Sequence, residues 1–377
     1  MILNGKYNTA IIYTDMVDGG TQGQIIGLCN QEFLKDSKIR IMPDCHVGKG
    51  CTIGTTLTIS NKVVPNLVGV DIGCGVAGIK VEDNLDLDRL DDIIRKNIPH
   101  GFRIHTRSRE KLLLNKFRLD LQELKCIEKI DLDRAYKSVG TLGGGNHFIE
   151  IDKNNKGEFF LIVHTGSRNL GKQIAEYYQK LAIRECEGKK LAKDLCYLEG
   201  GLLDNYLHDM EIAQKFAEIN RVMILSDILN NYKNEESLDK MIDYVLKNRI
   251  ECIHNYIDLE SKILRKGAIS AKEGEIVLIP INMRDGILIG KGKGNPDWNY
   301  SAPHGAGRVL SRGEAKRNLD IEEYRDSMKD IYTTCVGMGT LDEAPQAYKS
   351  IDIIMENIGE TIEVEEVIKP VYNFKSN

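Results

Sequence analysis

The sequence contains no long run of apolar residues. No stretch of the 377-residue chain approaches the roughly 18 to 20 consecutive apolar residues that a membrane-spanning helix needs. Residues 1–6 do not resemble the apolar core of a secretory signal peptide. We therefore expect a soluble protein of the cytoplasm that has no membrane partner.

Regularly spaced cysteines and an excess of positive charge are also missing. The nine cysteines are an odd number without the close spacing of a disulfide-rich secreted domain, which favours reduced thiols. The net charge of −5 argues against extensive duplex binding through bulk charge. Basic residues are nevertheless dense in segments 103–118 and 308–317. We interpret the first segment as solvated helix surface, whereas the second lies beside His304, a candidate site residue.

The order of predicted elements indicates an α+β fold. Apolar β-branched runs between turn residues predict strands at 10–13, 52–59, 75–81 and 159–163. Apolar residues at helical spacing predict helices around 174–182 and 238–246. The chain is thus strand-rich, then helix-rich between about 169 and 255, then strand-rich again. No repeat or Pro/Ser-rich linker divides it, and we expect one integrated domain.

Short motifs that combine glycine with histidine, aspartate or cysteine favour a metal centre. They are Val68-Gly-Val-Asp-Ile-Gly-Cys-Gly75, Gly143-Gly-Gly-Asn-His-Phe-Ile-Glu150, His164-Thr-Gly-Ser-Arg168, His254-Asn255 and His304-Gly-Ala-Gly-Arg308. A lone histidine in such a turn is more often structural, but these motifs hold four of the eight histidines. One carboxylate, one thiolate and three imidazoles exceed the needs of one tetrahedral ion, which favours two metals bridged by the thiolate. Donor chemistry alone leaves zinc, manganese and cobalt open.

The motif that begins at His304 is a candidate phosphate site. Segment 309–317 has helical character, so we expect the amides of Gly305, Ala306 and Gly307 to point at phosphate oxygens at a helix N-terminus. Runs of this kind usually mark only a turn. An imidazole can, however, attack an α-phosphorus when metal ions withdraw charge from its oxygens.

In this order, over about residues 40 to 375, the motifs resemble those of the RtcB family of RNA ligases. The resemblance implies a single α+β domain over residues 1–377, with stacked β-sheets flanked by helices around a deep two-metal cleft. It implies two Mn²⁺ ions, one held by Asp71, Cys74 and His147 and the other by Cys74, His164 and His254. It also makes His304 the nucleophile that takes guanylate from GTP.

The resemblance also implies a set of GTP-binding residues. They are Asn146, His147, Phe148, Ile149, Glu150, His254, Asn255, Pro280, Ile281, Asn282, Met283, His304, Gly305, Ala306, Gly307 and Lys375. Two positions depart from the family pattern, because Asn282 replaces a small hydroxyl residue and Pro303 replaces the serine or cysteine common before the nucleophile. These departures suggest a divergent subgroup.

Two further segments match the family, Met42-Pro-Asp-Cys-His-Val-Gly-Lys-Gly50 and Asp342-Glu-Ala-Pro-Gln-Ala-Tyr-Lys349. Structured turns without a role in the site explain them equally well. We assign no role to their residues at this point, although His46 is a candidate substrate contact.

The implied reaction joins an RNA 3′-phosphate or 2′,3′-cyclic phosphate end to a 5′-hydroxyl end, in RNA repair or tRNA splicing. An activating protein partner is left open. Arg168 and Arg308 are our candidates for contacting the RNA terminal phosphate, because a guanidinium binds phosphate bidentately. Two alternatives stand beside this prediction. One is a two-metal phosphoesterase that acts on nucleic-acid ends without nucleotidylation, and the other is a non-catalytic RNA-binding protein with a closed structural metal site.

Overall fold

The computed structural model describes residues 1–82 and 85–376. The helices in this part of the chain are α1 Gly19–Cys29, α2 Leu87–Asn97, α3 Glu110–Asn115, α4 Leu132–Ser138, α5 Arg168–Glu185, α6 Gly200–Lys233, α7 Leu238–Asn248, α8 Arg312–Asn318, α9 Ile321–Ser327 and α10 Ile351–Ile358. The first nine strands are β1 Ile2–Asn4, β2 Thr9–Ile12, β3 Ile39–His46, β4 Ile53–Thr58, β5 Lys62–Val63, β6 Gly75–Val81, β7 Phe148–Lys153, β8 Phe159–Thr165 and β9 Leu198–Glu199. The later strands are β10 Ile250–Ile253, β11 Asn255–Asp258, β12 Ile263–Lys266, β13 Ala268–Ser270, β14 Ile276–Asn282, β15 Gly286–Gly292, β16 Ser301–Pro303, β17 Tyr332–Thr333 and β18 Ile362–Lys375.

Two large sheets carry most of these strands. One has the order β1-β2-β3-β4-β12-β11, and the other has the order β10-β6-β8-β7-β18-β15-β14, with β17 beside β18. Strands β2, β4, β6 and β8 lie where the sequence predicted strands, and α5 to α7 fill the predicted helix-rich region. The prediction of an α+β fold is therefore confirmed.

The larger sheet is apolar on both faces, and this determines where the cleft lies. Alternate residues of a strand point to opposite faces. Ile149 and Val163 belong to the main core, whereas Phe148 and Ile162 belong to a second apolar cluster. Helix α6 packs against β6 and β8. In the register of β7 and β8, Phe148 pairs with His164 and Glu150 with Ile162, so polar site residues share the face of the second cluster.

Two local predictions were wrong. The helix expected over 309–317 begins only at Arg312, where Ser311 and Glu314 form a capping box. Arg308 forms a β-bridge with Tyr348, and the amides of residues 309 and 310 donate to the Ala347 carbonyl, so Gly305 to Gly307 do not lie at a helix N-terminus. The basic segment 103–118 is mostly not helix surface, since α3 covers only Glu110–Asn115. Within the described residues, no helix combines the length and apolarity needed to cross a membrane.

Candidate active site

Asp71 and Cys74 lie on a tight turn directly before β6. The Cys74 amide donates to the Asp71 carbonyl at 3.2 Å. Gly73 has a φ of 69°, and a Cβ there would come within 2.9 Å of the Cα of Gln214 in α6. Arg221, also in α6, donates to the Gly73 carbonyl at 2.8 Å. Helix α6 thus packs against this turn and fixes its backbone.

The histidine rings are oriented by their Nδ1 atoms. Nδ1 of His147 lies 2.9 Å from the Leu142 carbonyl, and Nδ1 of His164 lies 3.2 Å from the Asn146 carbonyl. A histidine that donates through one nitrogen presents the lone pair of the other. The Nε2 atoms lie 3.5 Å (His147) and 3.4 Å (His164) from the Sγ of Cys74. Nε2 of His254 lies 3.4 Å from Nε2 of His164.

These donor atoms form two groups that share Cys74. One group is Asp71, Cys74 and His147, and the other is Cys74, His164 and His254, with the ligand atoms of each group within 4.8 Å of one another. The three histidines and Cys74 are buried, while the side chain of Asp71 is 27% exposed. The structure therefore brings together all five predicted ligands in the two predicted groupings. The mixed nitrogen, sulfur and oxygen donors fit divalent transition metals.

The protonation of the donors also fits cation binding. Burial lowers the pKa of His164 and of His254 well below the usual value, so both rings are neutral. Burial and the nearby Asp71 charge raise the pKa of the Cys74 thiol. Burial opposes ionisation of Asp71, but the combined effects of His147, Arg168 and Cys74 outweigh it and lower the pKa of Asp71 to about 2. A bound cation would stabilise the thiolate and release its proton.

His304 lies beside this cluster with its ring held by Asp44. Nδ1 of His304 donates to Oδ2 of Asp44 at 2.6 Å, and the His304 amide donates to the same oxygen at 3.2 Å. The Asp44 side chain is fully buried, whereas that of His304 is 19% exposed. The rings of His304 and His254 are 4.8 Å apart. The Nε2 atom of His304 is therefore left with a free lone pair next to the metal donors.

The segment around Asp44 is held by Lys349, to which the sequence analysis assigned no role, and by Gly307. Nζ of the buried Lys349 donates to the carbonyls of Pro43 (2.9 Å) and Cys45 (3.2 Å), on either side of Asp44. Any side chain at Gly307 would collide with the Asp44 carbonyl. The segments 42–50 and 342–349, for which structured turns and a role in the site were both left open, thus pack together next to Asp44, the residue that holds His304. The matching motifs were the only sequence signal for this contact.

A cleft of about 300 Å³ extends from the metal donors and is lined by most of the predicted GTP-binding residues. Those that line it are Asn146, Phe148, Glu150, His254, Asn255, Pro280, Ile281, Asn282, Met283, His304, Gly305, Ala306, Gly307 and Lys375. Two do not. His147 faces Asp71, and the side chain of Ile149 packs in the main core on the opposite face of β7.

Glu150 and Lys375 line the cleft from adjacent strands. The pairing of β7 with β18 places Asn373 beside Glu150 and Lys375 beside Phe148, which brings the C-terminal lysine into the cleft. Asn373 donates to the Glu150 carboxylate. Burial raises the pKa of Glu150 to about 7, although the charge of Lys375 opposes this. Nζ of Lys375 lies 3.1 Å from the carboxylate of the buried Glu343.

The two departures from the family pattern differ in effect. The side chain of Asn282 is used within its own β14–β15 turn, where it donates to Asp285 at 2.8 Å and accepts from the Arg284 amide at 3.0 Å. It lines the cleft as part of this hydrogen-bonded turn. Pro303 ends β16 and pairs with Ala268, so it holds the strand that delivers His304.

The two arginines predicted to contact RNA have different surroundings. Arg308 lies in the cleft wall, where its guanidinium donates to the Tyr348 hydroxyl at 3.0 Å and to the Asp342 carbonyl, and pairs with Glu343 at 3.4 Å. Arg168 packs against the glycine loop, and its Nη1 lies 3.3 Å from Nδ1 of His147. Any side chain at Gly143 would overlap the Arg168 guanidinium.

Known proteins match this chain over most of its length. A family model described as "tRNA-splicing ligase RtcB" matches residues 30–376. The chain is 30% identical to "RNA-splicing ligase RtcB" of Escherichia coli (strain K12) over 94% of each protein. It is 28% identical to "tRNA-splicing ligase RtcB" of Nanoarchaeum equitans, over 84% of this chain and 83% of that protein.

The site and these matches are those of a ligase. Two groups of donor residues share Cys74, and beside them His304 is held by the carboxylate of Asp44. The chain belongs to the RtcB family of RNA ligases. The family membership predicted from the motifs is thereby confirmed.

Proposed function

We propose that this protein is a GTP- and Mn²⁺-dependent RNA ligase that joins 3′-phosphate or 2′,3′-cyclic phosphate ends to 5′-hydroxyl ends. The observation that carries the proposal is the position of His304. Nδ1 of His304 donates a hydrogen bond to Asp44, so the lone pair of Nε2 is free. This lone pair lies beside the donor residues that are grouped around Cys74. A purely structural metal site has no use for a histidine held in this way.

The residues divide the chemistry among them. Asp71, Cys74, His147, His164 and His254 would hold two ions, which when bound would neutralise phosphate charge and stabilise the departing group. His304 supplies the nucleophile, and Asp44 fixes its tautomer. Glu150 is suited to accept hydrogen bonds from the N–H groups of guanine, and Lys375 contributes a positive charge to the same cleft.

The proposed reaction has three steps. Nε2 of His304 bonds to the α-phosphorus of GTP as the bond to the bridging oxygen breaks and pyrophosphate leaves. An oxygen of the RNA 3′-phosphate then takes the guanylate and frees His304. Finally, the 5′-hydroxyl attacks the activated 3′-phosphorus, loses its proton and displaces GMP. A cyclic phosphate would first be opened by water. Each phosphoryl transfer needs near in-line geometry and charge neutralisation.

The covalent step gives the decisive experiment. Purified protein is incubated with Mn²⁺ and α-phosphate-labelled GTP, then denatured and examined for label, with ATP and His304→Ala in parallel. We expect acid-labile label from GTP that is absent from the His304→Ala protein. An unlabelled protein that is shown to bind Mn²⁺ would contradict the proposal and favour the phosphoesterase alternative.

Glu150 is expected to determine the choice of nucleotide. Glu150→Gln keeps the shape of the side chain but replaces one carboxylate acceptor with an amide donor that faces the guanine N–H groups. An unpaired polar group in such a buried site costs about 1–3 kcal/mol, so labelling by GTP should fall by about 5- to 150-fold in apparent affinity. The measurement is labelling against GTP and ATP concentration. An unchanged preference for GTP would remove Glu150 from base recognition.

We also propose a cytoplasmic location and a single domain. All nine cysteines are free and buried, which suits a reducing compartment. Residues from both large sheets enter the same main core, including Ile41 of β3 and Val163 of β8.

A further inference from the structure

A second groove runs along the outside of the glycine loop 143–145. It is separate from the nucleotide cleft but shares Arg312 and Glu343 with it, and Gly144 and Gly145 form part of its wall. Arg168, which contacts the ring of the candidate ligand His147, also lines this groove. Arg168 therefore connects this groove with the metal donors through its contact with His147.

The groove is predominantly basic. Its basic side chains are Arg103, Arg134, Arg168, Lys172, Arg312 and Lys316, and its carboxylates are Asp342 and Glu343. Both carboxylates form ion pairs within the groove, since Arg312 lies 2.7 Å from each and Lys316 lies 3.3 Å from Asp342. The remaining cations of the groove are on its other side, at Arg103, Arg134 and Lys172, and of these Lys172 lies 3.8 Å from the exposed carboxylate of Glu176. Arg103 is exposed and contacts the ring of His100, a residue that burial keeps from becoming cationic by lowering its pKa.

Phe102 stands at the rim of this groove almost entirely in solvent. Its relative exposure of 95% is the highest of any large apolar side chain in the described residues. The turn that carries it is not loose. The Gly101 amide donates to the Gly143 carbonyl at 2.8 Å, and the Arg103 amide donates to the His100 carbonyl at 3.2 Å. A rigidly presented aromatic ring that packs on nothing is costly in water unless a partner covers it.

We propose that this groove binds the single-stranded RNA segment next to the end being joined. A base stacks on Phe102, and backbone phosphates lie along Arg103, Arg134 and Lys172. An exposed aromatic ring beside a basic groove is the combination that binds single-stranded nucleic acid, since every base has a π-face and every residue of the strand a phosphate. A duplex would offer no unstacked base to Phe102, and it is wider than a single strand. This inference rests on the proposed ligase function.

The expected energetics are specific to this geometry. Stacking of one base is worth about 1–3 kcal/mol, so Phe102→Ala should weaken binding by about 5- to 150-fold. Phe102→Trp should restore binding, whereas Phe102→Leu, which is apolar but cannot stack, should not. Arg134→Gln and Lys172→Gln should each reduce the slope of log affinity against log salt by about 0.7.

The test is a titration of the full chain with a fluorescent single-stranded RNA of about ten nucleotides that carries a 3′-phosphate. Tyr244→Ala is the matched control, because Tyr244 is an aromatic side chain 45% exposed on α7, away from both grooves. Unchanged RNA affinity in Phe102→Ala, or full rescue by leucine, would overturn the inference. GTP labelling of the wild-type protein is measured without RNA, so a failure of the proposed ligase function would be seen separately.

Discussion

Cys74→Ala is expected to lose both metal ions, whereas His254→Ala is expected to lose only one. The reason is that Cys74 is the one donor present in both ligand groups. Loss of even a supporting partner outside the ligand set costs about 10- to 100-fold in metal affinity, so loss of a shared ligand should weaken Mn²⁺ binding at both sites by at least about 100-fold. Ligation should fall below detection. Bound Mn²⁺ per chain after dialysis is the measurement.

Cys126→Ala is the matched control for this experiment. Cys126 is as buried as Cys74, at 2% against 3% exposure, but it belongs to neither ligand group. Its substitution should leave two Mn²⁺ ions bound. If Cys74→Ala also retains two ions at wild-type affinity, the thiol does not bridge them. If it retains one ion, the thiol serves a single site and the proposed sharing is wrong.

The candidate donor residues could be recognised in the sequence because each lies in a short local motif. Asp71 and Cys74 are three residues apart on one turn, and each histidine lies in a recognisable glycine-rich segment. Residue type thus indicated a mixed donor set and the family resemblance its two groups, and the structure brings the donor atoms of each group within 4.8 Å of one another. The strands β6 and β8 were predicted correctly for a similar reason, since both are largely apolar and place core residues on both faces of the sheet.

Contacts between distant segments could not be predicted in this way. Asp44 meets His304 across 260 residues, and Lys349 meets Pro43 across 306 residues. The start of α8 was misjudged because Arg308 is drawn into a β-bridge with Tyr348, 40 residues later. The pairing of Arg308 with Glu343, 35 residues later, could likewise not be foreseen, and the RNA contact of Arg308 stays a prediction. Such pairings depend on the tertiary fold, and local propensity carries no information about them.

The difference between residue type and tertiary contacts also explains the role of Asn282. As a residue type it looked like a substitution at a nucleotide contact, because the family has a small hydroxyl there. In the fold its carboxamide closes the β14–β15 turn through Arg284 and Asp285. The functional consequence is that the turn, rather than a free side chain, shapes this wall of the cleft.

Asp44→Asn is expected to slow labelling of His304 by GTP about 10²- to 10⁴-fold at saturating nucleotide. The substitution preserves volume, so the buried site should still fold. In the wild-type protein, Nδ1 of His304 donates to the Asp44 carboxylate at 2.6 Å. In the variant, the introduced amide would present an N–H group to Nδ1 instead of a carboxylate oxygen. The ring would then accept at Nδ1 and carry its proton on Nε2, the atom that must attack. The chemical step should fail while GTP still binds.

Two measurements separate this positioning role from structural damage. Mn²⁺ binding should be unchanged in Asp44→Asn, because Asp44 belongs to neither donor group. The GTP concentration for half-maximal labelling should also change little, so that the loss appears in the maximal rate. Labelling at the wild-type rate would show that the carboxylate does not set the tautomer of His304. Equal losses in Mn²⁺ binding and rate would instead make Asp44 a structural support, since its segment also carries the Lys349 contacts that hold the back of the cleft.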